Sequence, residues 1–145
     1  MYFSNPLKIN FVFNSEIKIR VRYSETDRMG YVYYGNYAAY FEVARVEALR
    51  QLGITYKEME DDGILLPVYH YDVKYHKPCY YDDELTIRST IPSMPEARIV
   101  FEYRVYNQKN ELVNTAGTTL VFIDRKTNKP CHAPEFVTTL LKKYF

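Results

Sequence analysis

The sequence predicts an α+β fold built on an antiparallel sheet, and three observations carry that prediction. Near the N-terminus, Ile17, Ile19, Val21 and Tyr23 alternate with Lys18, Arg20 and Arg22, the period of a strand with one buried face. Over Asn36 to Leu52 the period changes, with Tyr37, Phe41, Ala44, Ala48 and Leu52 recurring at the spacing of one helical face. From Pro67 onward strand patterning returns, and a run of strands after one helix favours an antiparallel sheet over a doubly wound parallel one.

The elements follow in order. The first strand, Ile17 to Tyr23, breaks at SETDRMG. Asn36 is placed to cap the long helix and Gly53 to stop it. Ala39, Val43 and Val46 lie off the main stripe, so the helix is expected to be covered by more than one partner. A short polar turn of helix is expected at Tyr56 to Glu60, ending near Gly63. Strands follow at Val68 to Tyr75, at Glu84 to Ile91 with Leu85, Ile87 and Ile91 inward, and at Ile99 to Tyr106 with Phe101, Tyr103 and Val105 inward. NQKN reads as a hairpin loop leading into Leu112 to Ile123. DRKTNKP is a turn, and Pro134 to Tyr144 a short final helix. KPC occurs twice, but its flanks do not match, so it marks no repeat.

A chain of 145 residues predicts one domain over 1–145, with its core at about 15–143. Apolar residues at 47% and charged ones at 26% describe a globular chain, not a disordered one. A formal net charge of +1 supplies no overall attraction to nucleic acid or to anionic membranes. No apolar run approaches the ~20 residues of a membrane helix. The opening MYFSNPLKINFVF lacks the pattern of a signal peptide. Cys79 and Cys131 are expected as reduced thiols in a cytoplasmic protein. Sixteen tyrosines on one chain could stack bases, but tyrosine also suits half-buried strands with a wet hydroxyl, and that is the stronger reading.

Several chemistries lack their residues. His70, His76 and His132 have no zinc-site spacing, so no metal is expected. Cys131 and His132 are adjacent and on a strand would face opposite ways. There is no GxSxG, GxGxxG or P-loop. That leaves Asp27 in TDRMGYVYYGNYAAY, which is either a turn residue or a reactive acid. Gly30 and Gly35 permit tight backbone and close approach. The helix beginning near Asn36 brings unpaired N–H groups to the same place. A carboxylate and such N–H groups are the parts needed to cleave an acyl bond.

RYSETDRMGYVYYGNYAAYFEVARVEALRQLG resembles the active-site region of hot-dog-fold acyl-CoA thioesterases of the 4-hydroxybenzoyl-CoA thioesterase type. The shared residues are Asp27, Gly30, Val32 and Tyr37, with Asn36 before the tyrosine. VKYHKPCYYDDELTI supplies a second match through Tyr75, Pro78, Asp82, Asp83 and Leu85, and the likeness runs from about Ile17 to Leu141. The resemblance implies a curved antiparallel sheet wrapped around one long central helix. It also implies a homodimer or homotetramer, with active sites at the dimer interface. Asp27 would be the catalytic carboxylate, as nucleophile or general base. Tyr34 would lend its backbone N–H to the thioester oxygen, although many relatives carry histidine at this position. Gly30, Asn36 and Tyr37 would contact or shape the substrate site, and Arg98 and Lys129 would lie near the coenzyme A nucleotide. No cofactor is implied, since coenzyme A belongs to the substrate, and acyl carrier protein could replace it as the thiol portion. Glu42 and Glu47 are read as surface acids paired with Arg45 or Arg50.

Two rivals share the fold. A hydratase or dehydratase needs a histidine with the carboxylate, and none lies between Met1 and Val68, although His70 or His76 could reach Asp27. A non-catalytic acyl-thioester or protein-binding module needs no acid at this position at all.

Overall fold

The computed structural model describes residues 12–145, so most of the N-terminal segment read above lies outside the described residues. The first strand, β1 (Phe13–Arg20), starts earlier and ends sooner than its apolar alternation predicts. Phe13 and Ser15 are its buried inward positions, and a serine leaves no apolar signal to read. Tyr23 does not continue the strand. It opens a 3-10 turn, Tyr23–Glu25, and is 77% exposed. The Glu25 carboxylate accepts the Arg22 N–H at 2.8 Å, and this local bond turns the chain away from the sheet.

The long helix α1 (Asn36–Leu52) follows. Gly35, not Asn36, occupies its N-terminal flank, and Asn36 is the first helical residue. Gly53 ends it at φ 92°, the left-handed conformation that glycine adopts without a Cβ penalty. The short helix α2 (Tyr56–Asp61) is capped by the Thr55 hydroxyl, which accepts the Glu58 N–H at 3.1 Å. Then come β2 (Ile64–Leu65), β3 (Val68–Tyr75), β4 (Glu84–Ile91), β5 (Arg98–Tyr106), β6 (Leu112–Val121), β7 (Ile123–Asp124) and β8 (Lys129–Pro130). Helix α3 (Glu135–Leu141) and a 3-10 turn, Lys142–Tyr144, close the chain.

The main sheet has five antiparallel strands in the order β1-β4-β5-β6-β3. Strands β2, β7 and β8 form a second, three-stranded sheet. In the main sheet the register aligns one inward face across neighbours: Ile17 with Ile87, Ile87 with Val105, Tyr103 with Ala116, and Ala116 with Val73. Helix α1 packs on this face. Its predicted stripe (Tyr37, Phe41, Ala44, Ala48 and Leu52) is buried throughout. The Phe41 ring stacks on Tyr103 of β5 at 4.5 Å and meets Tyr71 of β3 edge-on at 6.2 Å. The same helix packs against β1 at the opposite edge. The sheet therefore lines the helix from edge to edge, and burial of this apolar surface supplies most of the folding drive.

Two departures matter later. Ala39 and Val43 on the off-stripe side of α1 are exposed, Val43 by 49%, so nothing among the described residues covers them. Arg45 is only 9% exposed and is not paired with Glu42. Its Nε donates to the Tyr56 hydroxyl at 3.3 Å, whereas Glu47 and Arg50 do pair, at 3.2 Å. Among the described residues both cysteines are free thiols, and no helix is long and apolar enough to cross a membrane.

Candidate active site

The segment from Thr26 to Val32 closes on itself as a tight loop. Thr26 and Val32 form a bridge, the Asp27 N–H donates to the Tyr31 carbonyl at 2.7 Å, and the Gly30 N–H returns to the Asp27 carbonyl at 3.0 Å. Asp27 holds the loop from inside. Its Oδ1 accepts the N–H of Met29 at 2.9 Å and of Tyr31 at 3.1 Å, the turn-forming habit of aspartate. Gly30 completes the turn at φ 83°, a conformation costly for any residue with a Cβ. The two readings of Asp27 are therefore not exclusive. One oxygen is a turn acceptor, while among the described residues Oδ2 takes no hydrogen bond.

The loop is tied to two neighbours. The Val32 N–H donates to the Cys79 carbonyl at 2.8 Å and Tyr31 bridges Tyr80, which fastens the loop to the segment after β3. On the other side Glu25 fastens it to the start of α1. The Glu25 carbonyl accepts the Tyr33 N–H at 2.8 Å and the Asn36 Nδ2–H at 2.7 Å. Its carboxylate accepts the Tyr40 hydroxyl at 2.9 Å and the Arg22 guanidinium at 2.9 Å. Burial pushes the Glu25 carboxyl up, but the bonds from Arg22 and Tyr40 outweigh it and hold the group below its ordinary value.

At the helix start, the Asn36 and Tyr37 N–H groups donate to the carbonyls of Tyr33 and Tyr34, at 2.9 and 3.3 Å. The N–H groups of Tyr34 and Gly35 have no acceptor among the described residues. Gly35 is needed for a different reason from Gly30. Its φ is ordinary, but a Cβ there would lie 2.6 Å from Cε2 of the Tyr33 ring.

Asp27, Tyr31, Val32, Tyr34 and Tyr37 line one hollow of about 350 Å³, walled on the far side by Tyr75, His76, Lys77 and Pro78. That size suits a small ligand. Of the residues named from sequence, Asp27, Tyr34 and Tyr37 thus meet at one place. Gly30 and Asn36 shape its approaches without lining it. Tyr37 is 3% exposed, its ring 5.6 Å from that of Tyr75, and burial raises its phenol far above the ordinary value, with the nearby Cys79 thiol adding to the effect. Burial likewise pushes the Cys79 thiol up to about 11, which disfavours its thiolate near neutral pH. Lys77 at the rim pairs with Glu111.

Arg98 and Lys129 lie elsewhere. Arg98 sits 4.4 Å over the Tyr69 ring and lines a separate hollow with Val68, Tyr69 and Pro130, the neighbour of Lys129. Tyr69 and Tyr75 sit six residues apart on β3, about 20 Å along the strand. Glu25 in SETD carries no functional signal in the sequence, whereas His76, one of the two histidines expected to be able to reach Asp27, does line the hollow with it. No group of His, Cys, Asp and Glu suited to a metal ion occurs among the described residues.

An antiparallel sheet lining one long helix, with an acid-bearing loop at that helix's N-terminus, is the hot-dog arrangement. The chain belongs to the thioesterase-like superfamily, whose family model matches residues 21–141. It is 33% identical to an Escherichia coli protein named acyl-CoA thioester hydrolase YbgC, over 86% of this chain and 93% of that one. A Staphylococcus aureus protein described as a DHNA-CoA thioesterase superposes with TM-score 0.83 at 36% identity, covering 90% of this chain and 88% of that one. A 4-hydroxybenzoyl CoA thioesterase shares the fold with TM-score 0.80 at 20% identity, over 89% and 99% of the two chains.

Proposed function

We propose that this protein hydrolyses acyl-CoA thioesters, with Asp27 as the reacting carboxylate. One observation carries the reading: an aspartate whose Oδ2 is unbonded among the described residues shares a hollow with Tyr34, whose N–H is unbonded too. The thioester carbonyl carbon would be attacked by Asp27 itself or by a water that Asp27 deprotonates. Negative charge then collects on the carbonyl oxygen, where the Tyr34 N–H at the positive end of α1 would stabilise it. Coenzyme A leaves as the thiolate and takes a proton; water supplies the second oxygen of the free acid. No cofactor enters this scheme. The names carried by the relatives support the substrate class, coenzyme A thioesters, and an acyl carrier protein thioester presents the same reacting bond.

A homo-oligomer belongs to the same proposal. Among the described residues strand β3 ends the main sheet with one unpaired edge, and Val68, Tyr69, Tyr71 and Tyr75 on it are exposed. Antiparallel pairing of β3 with its copy in a second protomer would bring Arg98 and Lys129 of the partner toward Asp27. In one chain they stand at the opposite end of that strand. Two such dimers would make a tetramer.

His76 in the hollow favours a second reading, hydration of an enoyl thioester by a histidine and a carboxylate. No hydrogen bond joins His76 to Asp27 among the described residues; its ring faces the Thr115 hydroxyl at 3.5 Å. The test is thiol release from short, long and aromatic acyl-CoAs, with enoyl-CoAs added to the panel and Asp27→Asn alongside. Turnover of a saturated or aromatic thioester that falls about 100-fold in Asp27→Asn is expected. Hydration without thiol release would replace the reading with its rival. No reaction across the panel would leave a binding module.

A further inference from the structure

We infer that Glu25 is the positioning residue of this site, setting the distance between the Asp27 carboxylate and the donor end of α1. The inference rests on the hydrolytic reading above. Glu25 stands two residues before Asp27 in the chain. Its main-chain carbonyl holds Tyr33 and Asn36, which flank the free N–H groups of Tyr34 and Gly35. Its side chain reaches one turn into the helix, to the Tyr40 hydroxyl, and back to Arg22, the residue just before the 3-10 turn. One residue thus bonds the acid-bearing loop to the oxyanion end through both its backbone and its side chain.

The geometry explains why a carboxylate is used. Oε1 accepts both the Arg22 N–H, at 2.8 Å, and the Tyr40 hydroxyl, at 2.9 Å. Oε2 accepts Nε and Nη2 of Arg22, at 3.2 and 2.9 Å. Four donors on two oxygens, one pair from a guanidinium fork, suit an ionised acid and no neutral side chain. Tyr40 is 3% exposed and the Glu25 side chain 12% exposed, so the bond between them is sheltered from water, whereas the Arg22 side chain that supplies the other donors is 76% exposed. A shift of about 1 Å between two reacting groups costs up to about 100-fold in rate, which is the leverage such a brace has. Glu25 does not line the hollow, so its effect should fall on turnover and not on binding.

The test is a double-mutant cycle in the intact protein between Glu25→Gln and Asp27→Asn, with kcat and KM measured on the best acyl-CoA of the panel and thermal midpoints recorded for every variant. Glu25→Gln is expected to lower kcat about 10-fold or more with KM within about twofold. In the Asp27→Asn background the same change should cost less than about twofold, because the group being positioned is already gone. Tyr40→Phe, which removes only the far hydroxyl, should lower kcat in the same direction by a smaller factor while the protein stays folded. Equal losses in both backgrounds, or a rise in KM with kcat unchanged, would overturn the inference and leave the hydrolytic reading standing. Full turnover in Asp27→Asn would remove both.

Discussion

The Tyr31 N–H donates to Oδ1 of Asp27 across 3.1 Å, and under the proposed hydrolysis that bond divides one carboxylate between two tasks. Oδ1 folds the loop and Oδ2 stays available. An amide can imitate the first task and not the second. Asp27→Asn is therefore expected to keep its thermal midpoint within a few degrees while losing about 100-fold in kcat. Asp27→Ala should lose both, since Met29 and Tyr31 then lack their acceptor. Urea titration beside thiol-release kinetics separates the two variants.

The two glycines of the loop answer to different forces. Gly30→Ala puts a Cβ on backbone at φ 83° and should cost about 1 kcal/mol or more. For Gly35→Ala the three atoms nearest the new Cβ all belong to the ring of Tyr33, a side chain that is 46% exposed and not fixed like backbone. Its cost should fall below that of Gly30→Ala. The order of the two denaturation midpoints checks the claim.

Acid should weaken the Glu25 brace. The folded carboxyl titrates below its ordinary value near 4.5, so it stabilises the fold above that value. This contribution is lost as pH falls through the depressed folded value. The stability gap between wild type and Glu25→Gln should therefore be widest near neutrality and close in stronger acid. A gap that widens on acidification would contradict the sign.

If Arg98 and Lys129 serve the partner's Asp27, inactive subunits should rescue one another. Asp27→Asn mixed with a subunit carrying Arg98→Ala and Lys129→Ala would form hybrid dimers. In each hybrid one site is doubly damaged and the other intact. Turnover at low acyl-CoA should rise on mixing after mild dissociation and reassembly. No rise, with hybrids verified by native mass spectrometry, would place both basic residues with their own chain's site.

Arg45 offers a fold-level prediction. Its guanidinium is buried, bonded to the Tyr56 hydroxyl and close to that of Tyr103, which in turn bonds Thr118 at 2.7 Å. Arg45→Ala should cost about 1–3 kcal/mol by stranding the Tyr56 hydroxyl, read as a fall in the urea midpoint.

Where inward and outward positions differ sharply, the elements were legible. Leu85, Ile87, Phe101, Tyr103 and Val105 announce β4 and β5 because each sits over the helix while its neighbours meet water. The stripe from Tyr37 to Leu52 is legible for the same reason. Strand β1 was shortened because Ser15 takes an inward place without being apolar, and Tyr23 was misplaced because a side chain bonding to backbone overrode the alternation. Arg45 is buried by phenols from two other elements, which helical spacing alone does not reveal. In the site, the turn around Asp27 was legible because its bonds to Met29 and Tyr31 are local. Glu25 was not, because its bonds reach Tyr33, Asn36 and Tyr40, up to 15 positions along the chain.

Strand β3 has a further consequence, for biosynthesis. It occupies residues Val68–Tyr75, yet among the described residues its one neighbour in the main sheet is β6, which begins at Leu112. A growing chain therefore carries this tyrosine-rich ribbon for more than thirty residues before the strand that shelters it is made. At translation speeds that interval lasts seconds, long enough to meet a neighbouring nascent chain. Crowded expression should then divert chains into mispaired aggregates, and slower synthesis at lower temperature should recover them.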